Sequence, residues 1–508
     1  MEQALFSPSK CYWQYLEHQG VRLNSATRDR IAELLESTNW DDPQSAIDRN
    51  HIAVVALIEA EQSELAMRGF YLETAFDALN ASANEHPLCA AHLAIAHSLI
   101  GNTGVGLETA FSAFIHTLGI AHSESDLAIG LVYLPGHLNN AIVNAETGAV
   151  QAMLLLSEVL QRSQAVFYNS IGMRFLTLSA EVLPQNFLTH LKLGIAQLLS
   201  GQWEGLSALH RSRSLAPAHL PTLQALFLAH RSLGQLDAAN FWLNNARQLN
   251  SETLDSKWTM LTSEAVFTYV AIDNSLLAVE ACFRSIVTAV LIAEGDWFER
   301  EMEFWRNQIQ PGMTVIDVGA NVGVYTVSAA RQVGSSGRVI AIEPFSSCVR
   351  CLEETQQINH FSQIRICPGA ASDCIGTAKL KLQPSSELNE LIIDGEEATG
   401  EFEEVRTFTL DSLIESEKLD RVDFLKIDAE GHELQVLQGG DRILTQYKPV
   451  ILYENIAGSK GSNLSVAQHL TANGYQLFRY QPFVGALIEI ESIEALQGNL
   501  NVIALPTH

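Results

Sequence analysis

Val315 to Gly323 reads V-I-D-V-G-A-N-V-G: an apolar run of strand type with an acid near its end, then a small-residue turn carrying Gly319 and Gly323. Beyond the turn, Val324 to Ala330 (V-Y-T-V-S-A-A) resumes at helical spacing. Strand, tight turn and helix in that order form the unit found at the ligand edge of a doubly wound sheet. A cofactor is expected over the turn.

Details around the glycines select the cofactor. A dinucleotide site needs G-x-G-x-x-G, because three glycines let backbone and helix N-terminus close on a pyrophosphate. Here the middle position is Asn321 and the pattern is D-x-G-x-N-x-G. Asp317 repels a diphosphate but suits a ligand carrying an ammonium and a sulfonium, as S-adenosylmethionine does. A second apolar run, Arg338 to Ile342, ends in Glu343-Pro344. A carboxylate there can accept both ribose hydroxyls. Nicotinamide sites share that acid, so Asp317 and the missing glycine discriminate.

At 508 residues and 47% hydrophobic, the chain is too long for one core and is expected to form two or three domains. Acids outnumber bases 58 to 31, a formal charge of -27. That balance disfavours nucleic acid and anionic membrane as partners. No apolar run reaches spanning length and the start, M-E-Q-A-L-F-S-P, lacks a leader pattern, so a cytoplasmic protein with no membrane span is expected. Seven cysteines fit reduced thiols better than a disulfide framework. Cys348-x-x-Cys351 with Cys367 and Cys374 has the wrong spacing and setting for zinc, so all four read as small core residues.

Residues 1 to about 250 are rich in Ala and Leu and read as helical hairpins, with Tyr12, Trp13 and Tyr15 as core or cap residues. Pro184 and Pro217 are 33 residues apart, as are Gly201 and Gly234. The segments 193–202 and 226–235 align at that offset, each a helix leading into a glycine turn and followed by a second helix. This resembles a tetratricopeptide-like solenoid over about residues 50 to 250. Such a stack offers a concave surface to a peptide or protein partner; the alternative is a packed helical domain that covers one face of the second half or makes a dimer.

A linker near Asn250 to Ser256 changes the texture. Residues 251–310 read as linker, a β-hairpin (267–272 and 276–281 about Asp273-Asn274-Ser275) and a helix ending before Pro311-Gly312. From 311 to 508 strands and helices alternate, with further core strands at 364–367, 423–428 and 450–454, a helix over 432–444, an acidic loop over 387–404 and closing strands at 475–480 and 501–505. The fold class expected is therefore an α-helical repeat domain over 1–250 followed by an α/β, Rossmann-like domain over 311–508.

Asp317, Glu343, Asp428 and Glu454 all fall at or near strand ends, so four carboxylates converge on one edge. Asp428-Ala429-Glu430-Gly431-His432-Glu433 matters most. An alcohol acceptor ionises far above neutral pH, so a carboxylate or the His432 imidazole must take its proton, or a divalent metal must lower its pKa. The structural alternative is that Asp428 caps the following helix while Glu430 and Glu433 complement its dipole.

The order V-I-D-V-G-A-N-V-G-V-Y-T, V-I-A-I-E-P, T-L-D-S-L and F-L-K-I-D-A-E-G-H-E-L-Q-V-L-Q-G resembles the FkbM-type S-adenosylmethionine-dependent methyltransferases over residues 262 to 508. That resemblance implies a class I methyltransferase fold, O-methylation, and a sugar, glycan or small-molecule hydroxyl as acceptor. It carries Asp317, Gly319, Asn321, Gly323 and Glu343 over as cofactor residues, and Asp428, Glu430 and Gly431 as the second signature. Ala429 stands where the family has Val or Ile. Two other classes remain: a helical adaptor with an inactive cofactor domain, and a nicotinamide-dependent oxidoreductase.

Overall fold

The computed structural model describes residues 7–121, 127–136, 138–162, 167, 170–392, 400–456 and 461–507. Part of the expected acidic loop, 393–399, lies outside the described residues, as do residues 1–6. The chain divides into two compact units: residues 1–189 with 481–485, and residues 190–480 with 486–508.

The first unit is helical, with helices at Pro8–His18, Ser25–Ser37, Ala46–Gln62, Leu65–Asn80, Pro87–Leu99, Thr103–Ala121, Asn140–Val143, Gly148–Gln161 and Ser170–Val182. Local chemistry starts them: prolines open the first and fifth, and Ser45 and Asp48 form a reciprocal capping box on the third. Tyr12 and Tyr15 are buried in its core, whereas Trp13 packs at the margin. No helix among the described residues is long and apolar enough to cross a membrane.

Two helix pairs follow, and the boundary between the units falls within the first of their helices. Phe187–Leu199 and Leu220–Ser232 start 33 residues apart, each spans 13 residues, and each leads into a left-handed glycine, Gly201 and Gly234. Their partners are Gly205–Leu215 and Leu236–Gln248. Gly194 and Gly205 let the first pair touch: a Cβ on Gly205 would lie 2.4 Å from the Gly194 carbonyl.

The hairpin forms as expected, β1 (Phe267–Ile272) and β2 (Ser275–Glu280), with Asp273 and Asn274 both at positive φ as a two-residue turn requires. Then come β3 (Thr314–Val318), β4 (Arg338–Glu343), β5 (Ile364–Pro368), β6 (Ala370–Ala371), β7 (Gly376–Lys381), β8 (Glu390–Leu391), β9 (Phe402–Phe408), β10 (Phe424–Ile427), β11 (Val450–Glu454), β12 (Tyr475–Gln481), β13 (Ala486–Glu489) and β14 (Asn501–Pro506). The main sheet runs β13-β12-β14-β11-β10-β3-β4-β5. Strands β5, β4, β3, β10 and β11 are parallel, and β14 pairs antiparallel with both β11 and β12. Four short strands, β6-β9-β7-β8, form a side sheet. Strand order reverses between β3 and β10, the position where such sheets open a crevice beyond their carboxyl ends.

Two elements differ from expectation, the first being the acidic loop expected over 387–404, which contains β8 and the start of β9. The helix expected over 432–444 ends at Gln438 and resumes as a wide turn at Ile443–Tyr447. The break falls at Gly439-Gly440, two residues that weaken a helix, and a Cβ on Gly439 would lie 2.0 Å from the Ser372 carbonyl, so glycine is needed there.

Candidate functional site

The glycine turn and the Asp428 loop meet at the reversal point. Asp428 N donates to Val318 O at 3.1 Å, and Gly319 and Ala320 N both donate to Ile342 O at 3.0 Å, so β10 and β4 clamp the end of β3 from either side. Gly319 has φ +73°, and a Cβ on it would sit 1.7 Å from Asp428 O. Only glycine fits there. Asn321 is left-handed at φ 50°, and Gly323 opens the helix Val324–Val333 at φ 103°. A Cβ on Gly323 would meet Leu352 at 2.6 Å.

Glu343 ends β4 beside this turn. Its Oε2 accepts the Asn321 N–H at 2.8 Å and its Oε1 the Phe345 N–H at 2.7 Å. Burial pushes its carboxyl up to about 7 against those two bonds. Each oxygen keeps a second lone pair for a ligand hydroxyl.

Asp317 is 0% exposed. Its Oδ2 accepts the Thr326 hydroxyl at 2.6 Å, while Oδ1 is buried without a hydrogen-bond partner. Burial raises its carboxyl and the nearby Lys426 ammonium opposes that rise. The register explains the proximity, since Asp317 and Lys426 are directly opposed on β3 and β10 and share a face of the sheet.

Lys426 is the cation that sequence reading passed over. Its Nζ lies 2.8 Å from Asp428 Oδ2 and 4.6 Å from the centre of the Tyr325 ring. Burial alone would push the ammonium down, but Asp428, Asp317 and Glu299 hold it above the ordinary lysine range. Glu299 was also missed. Its Oε2 accepts Tyr325 OH at 2.5 Å and Asn501 Nδ2 at 3.0 Å. Its neighbour Glu301 is buried and raised to about 7, by burial first and by the Glu299 charge second. Arg306 anchors this segment, holding Asp296 with two bonds of 2.8 and 2.7 Å and Asp273 at 3.0 Å. Sequence offers only position as a signal: the segment precedes β3 and is rich in acids.

Asp428, Glu430 and Glu454 converge: one oxygen of each lies within 4.8 Å of the others. Burial, then the charges of Asp428, Glu430 and Glu433, drive the Glu454 carboxyl far up, and its Oε2 is buried without a hydrogen-bond partner. Glu430 is held at φ 50°, a left-handed conformation unusual for its type. Asp428 caps no helix: the helix Glu433–Gln438 has His432 at its cap position with no side-chain cap bond, and Asp428 is paired with Lys426 instead. Glu433 takes the structural part, accepting Ala429 N at 3.1 Å, Gly431 N at 2.9 Å and Asn463 Nδ2 at 2.8 Å. The His432 ring lies with Nε2 2.9 Å from Ser372 Oγ, and burial lowers its pKa. Cys348 and Cys351 are buried on the helix Ser346–Asn359, while Cys374 is exposed.

Residues 317–477 match the family model of the methyltransferase FkbM domain. The match lies wholly within the second unit. Its matched segment begins at Asp317 and includes the glycine turn, Glu343 and the Asp428 loop. Glu299 and Asn501, which bond each other beside that site, lie outside the matched segment. Similar solved structures include methyltransferase FkbM from Methylobacillus flagellatus KT (15% identity, TM-score 0.27, 43% of this chain and 53% of that one). A SAM dependent methyltransferase from Aquifex aeolicus (16%, 0.25, 41% and 90%) and MamA MSR-1 (16%, 0.28, 40% and 97%) are also similar. The chain spans about half the length of the first of these. No curated protein matches the chain.

Proposed function

We propose that the FkbM domain is an S-adenosylmethionine-dependent O-methyltransferase acting on a hydroxyl of a sugar, glycan or secondary metabolite in the cytoplasm. The observation that carries this reading is the convergence of Asp428, Glu430 and Glu454 within 4.8 Å beside the Gly319 turn. The residues fit the cofactor. Glu343 offers two acceptor oxygens, the Gly319 to Gly323 turn brings backbone close, and a site with one buried lysine among several acids favours a ligand of positive charge. When bound, the cofactor supplies an electrophilic methyl group on a sulfonium.

The chain's own groups prepare the acceptor. Lys426 fixes one oxygen of Asp428, so the carboxylate keeps one orientation beside Glu430 and Glu454. Asp428 or Glu430 then accepts the hydroxyl proton, or the three acids together hold a divalent cation that lowers the hydroxyl's pKa. Oxygen ligands at this spacing suit magnesium, manganese or calcium. Asp317, fully buried and bonded to Thr326, shapes the turn from below.

The helical residues 1–250 serve recruitment of a partner or substrate. Support comes from the 33-residue spacing of Phe187–Leu199 and Leu220–Ser232, a tetratricopeptide-like period. The second pair is joined to the hairpin, since Gln224 Nε2 donates to Thr268 Oγ1 at 2.8 Å and to Tyr269 O at 2.9 Å.

Methyl transfer from labelled cofactor to a panel of glycans and small alcohols tests this reading. Asp428→Asn and Glu430→Gln are expected to stay folded, bind cofactor and lose turnover by about 10² or more. Loss on chelation and recovery with magnesium or manganese selects the cation; indifference selects the base. Parent rates in both variants contradict the mechanism.

A further inference from the structure

Residues 128–135 of the first unit, A-I-G-L-V-Y-L-P, run extended between helices and belong to no sheet. Leu131, Val132, Tyr133 and Leu134 are at most 1% exposed. An extended chain presents the N–H and C=O of alternate residues along each edge, and burying them requires partners. Here the partners are side chains.

Along one edge, Gln151 bonds both N and O of Gly130 at 3.0 Å through its amide. The Tyr12 hydroxyl accepts Val132 N at 3.1 Å and donates to Val132 O at 3.3 Å, and Tyr15 does the same for Leu134 at 3.0 and 3.1 Å. Along the other edge, Asn50 Nδ2 donates to Leu131 O at 2.9 Å and His92 Nε2 accepts Tyr133 N at 3.0 Å. Asn50 and His92 are themselves joined, Oδ1 to Nδ1, at 2.8 Å. Residues 130, 132 and 134 are thus read on one side and 131 and 133 on the other, as two neighbouring strands would read them. The readers come from four helices and contact only backbone in these bonds. Size is restricted at Gly130, where a Cβ would meet Ile47 at 2.7 Å, and the side chains of 131–134 are enclosed.

We infer that the interior of the first unit is a receptor for a single extended apolar strand, with residues 130–134 as its intramolecular ligand. The ligand class is a short apolar peptide with glycine at the first read position and free N–H groups at the first, third, fourth and fifth. This does not depend on the methyltransferase reading.

The test places one site-specific protease sequence between Ala121 and Leu127 and another between Gly136 and Leu138 of the full chain. After both cuts, the excised peptide is expected to co-elute with the protein and the unit to keep its cooperative melting. Denaturation and refolding without the peptide should leave a unit that takes up synthetic A-I-G-L-V-Y-L-P at one equivalent. The same peptide N-methylated at Val132, which cannot donate to Tyr12, should bind at least about tenfold more weakly, a loss of about 1.4 kcal/mol or more. Release of the peptide from a unit that stays folded, collapse of the unit on cutting, or equal binding of the N-methylated peptide would each overturn the inference. A second measurement needs no cutting: Tyr12→Phe with Tyr15→Phe should speed amide exchange at Val132 and Leu134 by tenfold or more over other core amides of the unit. Unchanged relative exchange at those two amides would also overturn it.

Discussion

Gly319 and Gly201 offer a paired substitution that separates backbone strain from close approach. Both have φ +73° and both lie in the second unit, but a Cβ on Gly201 meets nothing within 4 Å, whereas one on Gly319 would lie 1.7 Å from Asp428 O. Alanine at Gly201 therefore carries only the left-handed penalty, about 1 to 2 kcal/mol. Alanine at Gly319 carries that and must also push the ends of β3 and β10 apart by roughly 1.5 Å to reach an ordinary carbon–oxygen contact. Such a shift opens the Asp428 N to Val318 O bond and weakens the Gly319 and Ala320 bonds to Ile342, each worth about 1 kcal/mol. The expected total is about 3 to 5 kcal/mol, in the range of a severe single substitution. In a thermal melt of a unit this size, about 2 °C is lost per kcal/mol, so Gly201→Ala should lower the transition by about 2 to 4 °C and Gly319→Ala by about 6 to 10 °C. Cofactor binding should survive the first change and fail in the second. Equal effects in the two variants would refute the close packing of turn and Asp428 loop.

Acidification should move the two units in opposite directions. Burial lowers His92 to about 3 and His51 to about 4, so from pH 7 to pH 5 the unfolded chain gains protons there that the folded first unit refuses, and that unit loses about 2 kcal/mol per histidine. Burial raises Glu343 and Glu301 to about 7, so the folded second unit gains protons before the unfolded chain does and is stabilised by a similar amount over the same window. Two calorimetric transitions that shift together would contradict this. Lys426→Met leaves Asp428, Asp317 and Glu299 without their shared buried cation and should cost about 3 to 5 kcal/mol, partly recovered in Lys426→Met with Asp428→Asn; additive losses would show that the pair is not coupled. A fragment ending near Asn250 deprives Gln224 of Thr268 and Tyr269, so in that fragment amide exchange over 187–248 should be faster than in the full chain, while 8–182 stays protected.

Much of the second unit was legible because its signals are local. The turn needed glycine at 319 and 323, Glu343 closed an apolar run of strand type, and period and composition marked β10 and β11. What sequence left hidden depends on pairing across the sheet. Nothing in the local text around Lys426 says that its side chain faces Asp317, because that follows from the register of β10 on β3. Glu299 reaches the site from before β3 and meets Asn501 from β14, a separation of 202 residues. Asp428 read plausibly as a helix cap, but the helix begins five residues later and its ion pair with Lys426 takes the carboxylate elsewhere. In the first unit, A-I-G-L-V-Y-L-P has no periodicity that distinguishes it from a helix fragment, and its extended form is imposed by side chains up to 120 residues away.

Cofactor binding is the most direct measure of the central claim. Titration calorimetry of the full chain with S-adenosylhomocysteine, the product of methyl transfer, should give saturable binding at one equivalent, with no heat from NAD. Glu343→Ala should weaken it by about 1 to 3 kcal/mol, as two ligand hydroxyls lose a carboxylate acceptor. Binding of NAD in its place, no binding of either, or an affinity unchanged in Glu343→Ala would contradict the account.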